Sequence, residues 1–477
     1  MNPTSRPAWV ADAIFYQIFP DRFAASTRVP KPANLEAWDA PPTRHGYKGG
    51  DLYGVIEHLD WLTDLGVNAI YFNPIFQSAS NHRYHTHDYF LIDPLLGGDQ
   101  AFDALMTACG DRNIKVVLDG VFNHASRGFF RFNDILENGS GSPWLDWFTV
   151  KQIPLNAYHE IKPPNYSAWW DDPALPQLNT ENPAVREYLM EVAEHWIRRG
   201  IDGWRLDVPE EIVTEGFWEE MRQRVRAINP DAYLVGEIWG PANDWIEDGT
   251  RFDGAMNYPM TEANLRFAAG ERIDQEVVAP LNLTLAPPLD AAGYAAAVSE
   301  HLDLYAPDTH RANLNLLGSH DTARVGSMVG GDPDSTILAA VLMLTFPGAP
   351  CIYYGDEIGV LGGPDPDCRA GFPWDRPDGW DRGLLEAFRS LIALRSSEES
   401  LRHGDYQTLT ADGGLYAFSR STDQGGVIVC VNVGDGVATA EFDGRVVGDR
   451  LWGDGSATGP NSASLAGRSA TVWRSDR

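Results

Sequence analysis

The feature that most constrains this chain is an apolar, strand-like run followed by a helical stretch, repeated eight times. The runs fall at residues 13–19, 68–76, 115–123, 200–208, 232–239, 254–260, 313–319 and 349–355. They are rich in Val, Ile, Tyr and Phe and are continuous rather than alternating, as strands buried on both faces are. The segments between them read as amphipathic helices. Leu52, Val55, Ile56, Leu59 and Leu62 share one face, and Gly66 supplies the stop. Asn182 is a cap candidate and Pro183 suits the first turn of a helix whose stripe is Val185, Leu189, Val192 and Trp196. Phe217, Met221, Val225 and Ile228 form a third stripe. Eight such units predict an α/β fold, a closed (β/α)₈ TIM barrel rather than an open doubly wound sheet.

Two stretches break the alternation and set the domain organisation. Residues 125–179 carry Gly, Pro, Trp and Tyr without a helical period, which predicts an insertion subdomain (domain B) after the third strand. From residue 397 to 477 the pattern becomes short strands and turns, such as LYAF and VIVCVNV, and predicts an antiparallel β domain (domain C). The catalytic barrel is then 1–124 and 180–396. With 477 residues, several domains are expected in any case. A net charge of −30 repels phosphate backbones and anionic lipid, so nucleic acid and membrane are excluded as partners. No run of 18 apolar residues is present. The opening MNPTSRPAWVADAIFYQIFP has no basic segment ahead of an apolar one, so a cytoplasmic location is expected. Cys109, Cys351, Cys368 and Cys430 lack metal-ligand spacing, and most of them read as buried thiols.

In such a barrel, chemistry sits where strands end and βα loops begin. The third run ends Asp119-Gly-Val-Phe-Asn-His124, the fourth Arg205-Leu-Asp207, the fifth Glu237-Ile-Trp239 and the seventh His320-Asp321. Neighbouring strands lie about 4.8 Å apart, so Asp207 and Glu237 at matching levels suit the roughly 5 Å carboxyl spacing of a retaining glycosidase. Arg205, two residues before Asp207, shares its side of the strand and is expected to hold it ionised. Glu237, facing that charge, is expected to start protonated. His82, His85 and His87 lack a fourth ligand and read as a polar loop rather than a zinc site. Trp169, Trp170 and Tyr166 read as a small core ahead of a sugar-lined cleft.

These strand ends resemble the α-amylase superfamily of glycoside hydrolases, particularly its neopullulanase, cyclomaltodextrinase and maltogenic amylase branch. The motifs carrying the resemblance are DGVFNH at 119–124, GWRLDV at 203–208, GEIW at 236–239 and the GSHD ending at Asp321. A fifth is Leu175-Pro-Gln-Leu-Asn179, and IFYQIFPDRF, NHRYHTHDYF and CIYYGDEIG add to it. The likeness runs from about residue 12 to about residue 395. It implies Asp207 as nucleophile, Glu237 as general acid/base and Asp321 as the group that binds and distorts the reacting sugar. It implies hydroxyl contacts from His124 and His320, stacking from Tyr84, and a wall from Trp239 on the leaving side. Asp119 resembles a structural partner of Arg205 rather than a substrate ligand.

The sequence departs from that branch in three places. The barrel begins within about a dozen residues, where the branch carries an additional N-terminal β domain that builds a dimer; a homodimer is therefore left open. The loop that binds calcium in relatives is Ala24-Ala25-Ser26-Thr27 here, with Asp51 the one obvious ligand candidate left, so no cofactor is expected. His85 follows the stacking tyrosine where Asp is common. The expected activity is hydrolysis of α-1,4 bonds in maltooligosaccharides, cyclic maltodextrins or pullulan through a covalent intermediate. Transglycosylation, or action on an unusual cyclic maltooligosaccharide, uses the same chemistry. A catalytically silent barrel would be expected to lack one of the three carboxylates, and an enzyme for phosphorylated sugars would need basic residues where Asp356 and Glu357 stand.

Overall fold

The structure, a computed structural model, describes residues 5–159, 162–442 and 445–476. Residues 1–4 of the expected barrel, 160–161 of the insertion, and 443–444 and 477 of the last domain lie outside the described residues. Eight strands form the central sheet: β1 (Phe15–Ile18), β2 (Ala69–Phe72), β3 (Lys115–Gly120), β4 (Gly203–Leu206), β5 (Tyr233–Gly236), β6 (Gly254–Ala255), β7 (Leu314–Leu316) and β8 (Ala349–Tyr353). All neighbours are parallel, in the order β6-β5-β4-β3-β2-β1-β8-β7. A parallel bridge between Met256 and Leu314, with Asn257 N donating to Leu314 O at 2.8 Å, joins the two edges into a barrel. Every residue of β1, β2, β4 and β5 is buried, which is why these strands read as unbroken apolar runs.

Three local readings need correction. The sixth run was expected to stay extended to residue 260, but only Gly254–Ala255 are strand. Tyr258 opens the helix Tyr258–Ala268, with Pro259 in its first turn, where a missing N–H costs nothing. The helix expected over 52–65 is two pieces, Leu52–Glu57 and Leu59–Leu65. His58 donates its backbone N–H to Val55 rather than one residue further back, while its ring Nδ1 meets Gly54 O at 2.9 Å. The insertion does hold a helix, Phe130–Asn138, whose inward residues are Phe132 and Ile135.

Phe132 packs edge-on against Phe148 and Tyr166, giving the insertion a small aromatic core. Its two ends are tied to each other beside β3. Ala125 N donates to Pro176 O, Leu178 N donates to Asn123 O, and His124 bridges Gln177. After β2, an antiparallel hairpin of Phe76–Ser78 and Thr86–Ile92 carries the loop with Tyr84. After the last helices, Arg382–Ser397 and Glu399–His403, the chain forms two antiparallel sheets of five and three strands. No helix of the described residues is long and apolar enough to cross a membrane.

Candidate active site

Strand register sets the site. Asp119 pairs with Arg205 across β3 and β4, and Leu206 pairs with Gly236 across β4 and β5. The next residue on each of the latter strands is Asp207 and Glu237, and Glu237 N donates to Leu206 O at 3.0 Å. The two acids therefore leave adjacent strands at one level. Both are almost wholly buried, 6% and 5% exposed.

Arg205 lies between them and is completely buried. Its NH1 donates to Asp119 Oδ1 at 2.8 Å and to Asp207 Oδ1 at 2.9 Å. Its NH2 stands 2.7 Å from Glu237 Oε1, an ion-pair contact without hydrogen-bond alignment. Burial pushes Asp207 well above the usual carboxylate range, with Arg205 opposing and Glu237 reinforcing that rise. Burial likewise raises Glu237, again against Arg205. Arg205 was expected to hold Asp207 ionised and Glu237 alone to rise; burial instead raises both carboxyls, and Arg205 opposes both rises. One guanidinium serves both acids, and the pair behaves as a unit that retains a proton more readily than free carboxylates do.

A second network holds the opposite wall. Gln17 uses one amide hydrogen for Asn73 Oδ1 and the other for His320 Nδ1, both at 3.0 Å. The ring proton of His320 then sits on Nε2, which faces Tyr84 OH at 2.6 Å and Asp321 Oδ2 at 3.0 Å. Tyr84 donates to Asp119 Oδ2 at 2.8 Å, as does Tyr71, and its ring lies parallel to His320 at 5.3 Å. Asp321 stands open to the cleft, side-chain exposure 34%. Desolvation raises it, but His320 and Arg369 outweigh that and hold it well below the usual range. Arg369 also donates to His320 O at 2.9 Å, so it fixes both residues of the pair.

His124 stands at the end of the β3 segment, buried, with Nε2 unpartnered. Burial, then the neighbouring His85, push its pKa down to about 3, leaving an uncharged ring. Trp239 lies flat on Tyr258 with ring centroids 3.8 Å apart, and Tyr258 faces the charges of Glu237 and Asp321. The structure brings Asp119, Arg205, Asp207 and Glu237 into direct contact, and ties Tyr84, His320 and Asp321 to them through Asp119. Gln17, Asn73, Tyr71, Tyr258 and Arg369 were not anticipated. Gln17 and Asn73 left a signal, being uncharged polar residues within or beside otherwise apolar runs; Arg369 lies in an irregular stretch after β8 and left none.

A closed (β/α)₈ barrel with two opposed acids on adjacent strand ends, a shared arginine and a third carboxylate across the cleft defines a glycoside hydrolase. The chain belongs to the α-amylase family, whose catalytic domain matches residues 17–377. It is 44% identical over 430 residues to a cyclomaltodextrinase of a Bacillus species, a match covering 89% of this chain and 73% of that one. The native structure of the debranching enzyme of Nostoc punctiforme is 50% identical, with TM-score 0.92 over 98% of this chain and 99% of that one. Cyclic α-maltosyl-(1→6)-maltose hydrolase from Arthrobacter globiformis, solved with that sugar bound, is 35% identical, with TM-score 0.88 over 98% of this chain and 100% of that one.

Proposed function

We propose that the protein hydrolyses α-1,4-glucosidic bonds of maltooligosaccharides and cyclic maltodextrins with retention of configuration, and that Asp207, Glu237 and Asp321 carry the reaction. The observation that supports this most is the placement of Asp207 and Glu237 at one level of adjacent strands on a single guanidinium. About 4.8 Å between strands suits the roughly 5–5.5 Å of a nucleophile and acid, and leaves no room for the attacking water of an inverting site. The aligned hydrogen bond from Arg205 goes to Asp207, which favours leaving the charge there and the pair's proton on Glu237.

In the first step an Asp207 oxygen forms a bond to the anomeric carbon as the glycosidic C–O bond breaks, and Glu237 gives its proton to the departing oxygen. In the second, Glu237 takes a proton from water, the water oxygen bonds to the anomeric carbon, and the ester to Asp207 breaks. Asp321, held ionised, accepts hydrogen bonds from the hydroxyls of the reacting sugar and opposes the positive charge that develops on its ring. His320 Nε2 and the uncharged His124 supply further hydroxyl contacts, and Trp239 walls the leaving side. An uncharged substrate suits a chain of net charge −30.

Asp51 directs its oxygens to the N–H of Gly54, the N–H and hydroxyl of Ser26, and the Lys31 ammonium at 2.6 Å. Those contacts support a fold and a reaction that work without calcium. Four buried, unpaired cysteines suit a reducing, cytoplasmic setting. In the test, Asp207→Ala lowers kcat on maltotriose by at least about 10⁴-fold with an unchanged circular dichroism spectrum. NMR of the first product shows the α anomer. A near-native rate for the variant, or a β product, refutes the assignment.

A further inference from the structure

Trp170 is 79% exposed, the most exposed of the large aromatic residues described. Burying an indole is ordinarily favourable, and its exposure here coincides with backbone strain. Trp170 has φ +50° and Asp171 φ +54°, two successive non-glycine residues in the left-handed region. Each costs on the order of 1 kcal/mol and persists only where surrounding structure enforces it.

The enforcing structure is visible. Trp169 N donates to Leu175 O, Asp171 N to Ala168 O and Asp172 N to Trp169 O, while Ala168 bridges Pro176. Asp172 Oδ1 accepts the Ala174 N–H, and Tyr166 OH donates to Pro173 O. The turn is clamped at both ends to the strip that runs back to His124.

Its effect is to order three rings in a column. His124 stacks on Trp169 at 5.3 Å and 17°, and Trp169 stacks on Trp170 at 4.7 Å and 10°. The column starts at a histidine of the active site and ends at an indole that displays its outer surface to solvent. Reading these tryptophans as a small core is therefore corrected: Tyr166 is buried in that core, Trp169 is half-buried, and Trp170 is outside it.

The geometry points to Trp170, seated on Trp169, as a binding platform for a glucosyl residue distal to the bond being cut, which gives the enzyme a preference for longer α-glucan chains. A flat, rigid indole suits the C–H face of a pyranose, and Asp171 and Asp172 beside it can accept hydrogen bonds from that sugar's hydroxyls. The platform rests on the α-glucan reading of the site for the identity of its ligand.

The test compares W170A with wild type on maltoheptaose and maltotriose. The ratio of kcat/KM for the longer sugar to that for the shorter falls about tenfold in the variant, as expected for losing one stacked ring face, and W170F restores most of it. Because the residue is exposed and strained, W170A folds; its thermal midpoint checks this. A second arm needs no turnover. Maltoheptaose affinity is measured calorimetrically in the Asp207→Ala protein with and without W170A, and weakens about tenfold with it. An unchanged ratio together with unchanged affinity overturns the platform. If wild type cleaves neither sugar yet affinity still depends on Trp170, the reaction assigned above fails and the platform stands. If cleavage proceeds and neither readout moves while W170A changes the sedimenting mass, the ring belongs to a protein contact and the proposal is wrong.

Discussion

At the mouth of the barrel one buried guanidinium, Arg205, touches three carboxylates; at the base two buried guanidiniums, Arg395 and Arg420, meet backbone carbonyls instead. Arg395 donates to the carbonyls of Leu344, Phe346, Leu401, Gly348 and Ala11, and Arg420 to those of Thr345 and Gly404. Two of these acceptors, Leu344 and Thr345, are carbonyls of the last turn of the helix Pro333–Thr345, where the helix dipole favours a cation. Burial pulls both base arginines down to about 9, each also repelled by a neighbouring arginine, and they stay charged at neutral pH. The contrast separates two uses of a buried charge. Carbonyls solvate the base cations without adding a titratable group, and so tie the start of β8 to the C-terminal domain at any ordinary pH. Around Arg205 the mouth keeps three acids on one cation, so a proton is held there and can be moved.

Removing each arginine should therefore fail differently. Arg205→Met has the larger effect, roughly 10³-fold in kcat/KM, in line with loss of a positioned charge at a reacting centre. Since Arg205 opposes the burial-driven rise of both acids, its loss raises their pKa values further. The acidic limb of the pH–rate profile should move to higher pH by at least about one unit. A limb that stays in place would mean Arg205 acts through shape alone. Arg395→Met should instead cost about 4 kcal/mol of stability, because five buried carbonyls lose their donor. The turnover number per folded molecule stays at the wild-type value. Urea melts with matching midpoints for variant and wild type would show that the base cation is dispensable and end the comparison.

How much of this could be read in advance depends on whether the cause is local. Strands buried on both faces leave continuous apolar runs, so seven of the eight barrel strands were found close to where they lie. The sixth went astray because Pro259, a first-turn residue, was read through as part of the strand. Asp207 and Glu237 were legible because register between neighbouring strands follows from where each run ends. The sharing of Arg205 was not, since it depends on how far one side chain reaches across two strands. The arrangement of Trp169 and Trp170 was hidden for another reason. A clamped turn with two left-handed residues has no period, so composition alone could not tell a core tryptophan from a displayed one.

Glu357 offers the finest test of the contrast, because it is a buried acid at the mouth end of β8 whose contacts are all to hydrogen-bond donors. Tyr16 OH donates to Oε1 at 2.8 Å and Gly355 N to Oε2 at 2.9 Å. Burial raises its pKa to about 7, while the adjacent Asp356, which has Arg324 at 3.0 Å, rises only to about 6. The folded protein thus holds the Glu357 proton more tightly than the unfolded chain does. Its contribution to stability is complete below the unfolded pKa of about 4.5, and is lost as pH climbs through about 7. Raising the pKa from 4.5 to about 7 sets an upper bound of about 3 kcal/mol on that loss. In Glu357→Gln the amide oxygen can still accept from Gly355 N–H while the Tyr16 hydroxyl loses its acceptor, a cost that does not vary with pH, and the titration disappears. Between pH 5 and pH 8.5 wild type should lose ground steadily to the variant, with the difference flattening above pH 8. Stability curves that run parallel across that range would show that Glu357 carries no proton there, and that an acid at the mouth can be stabilised by dipoles as fully as the arginines are at the base.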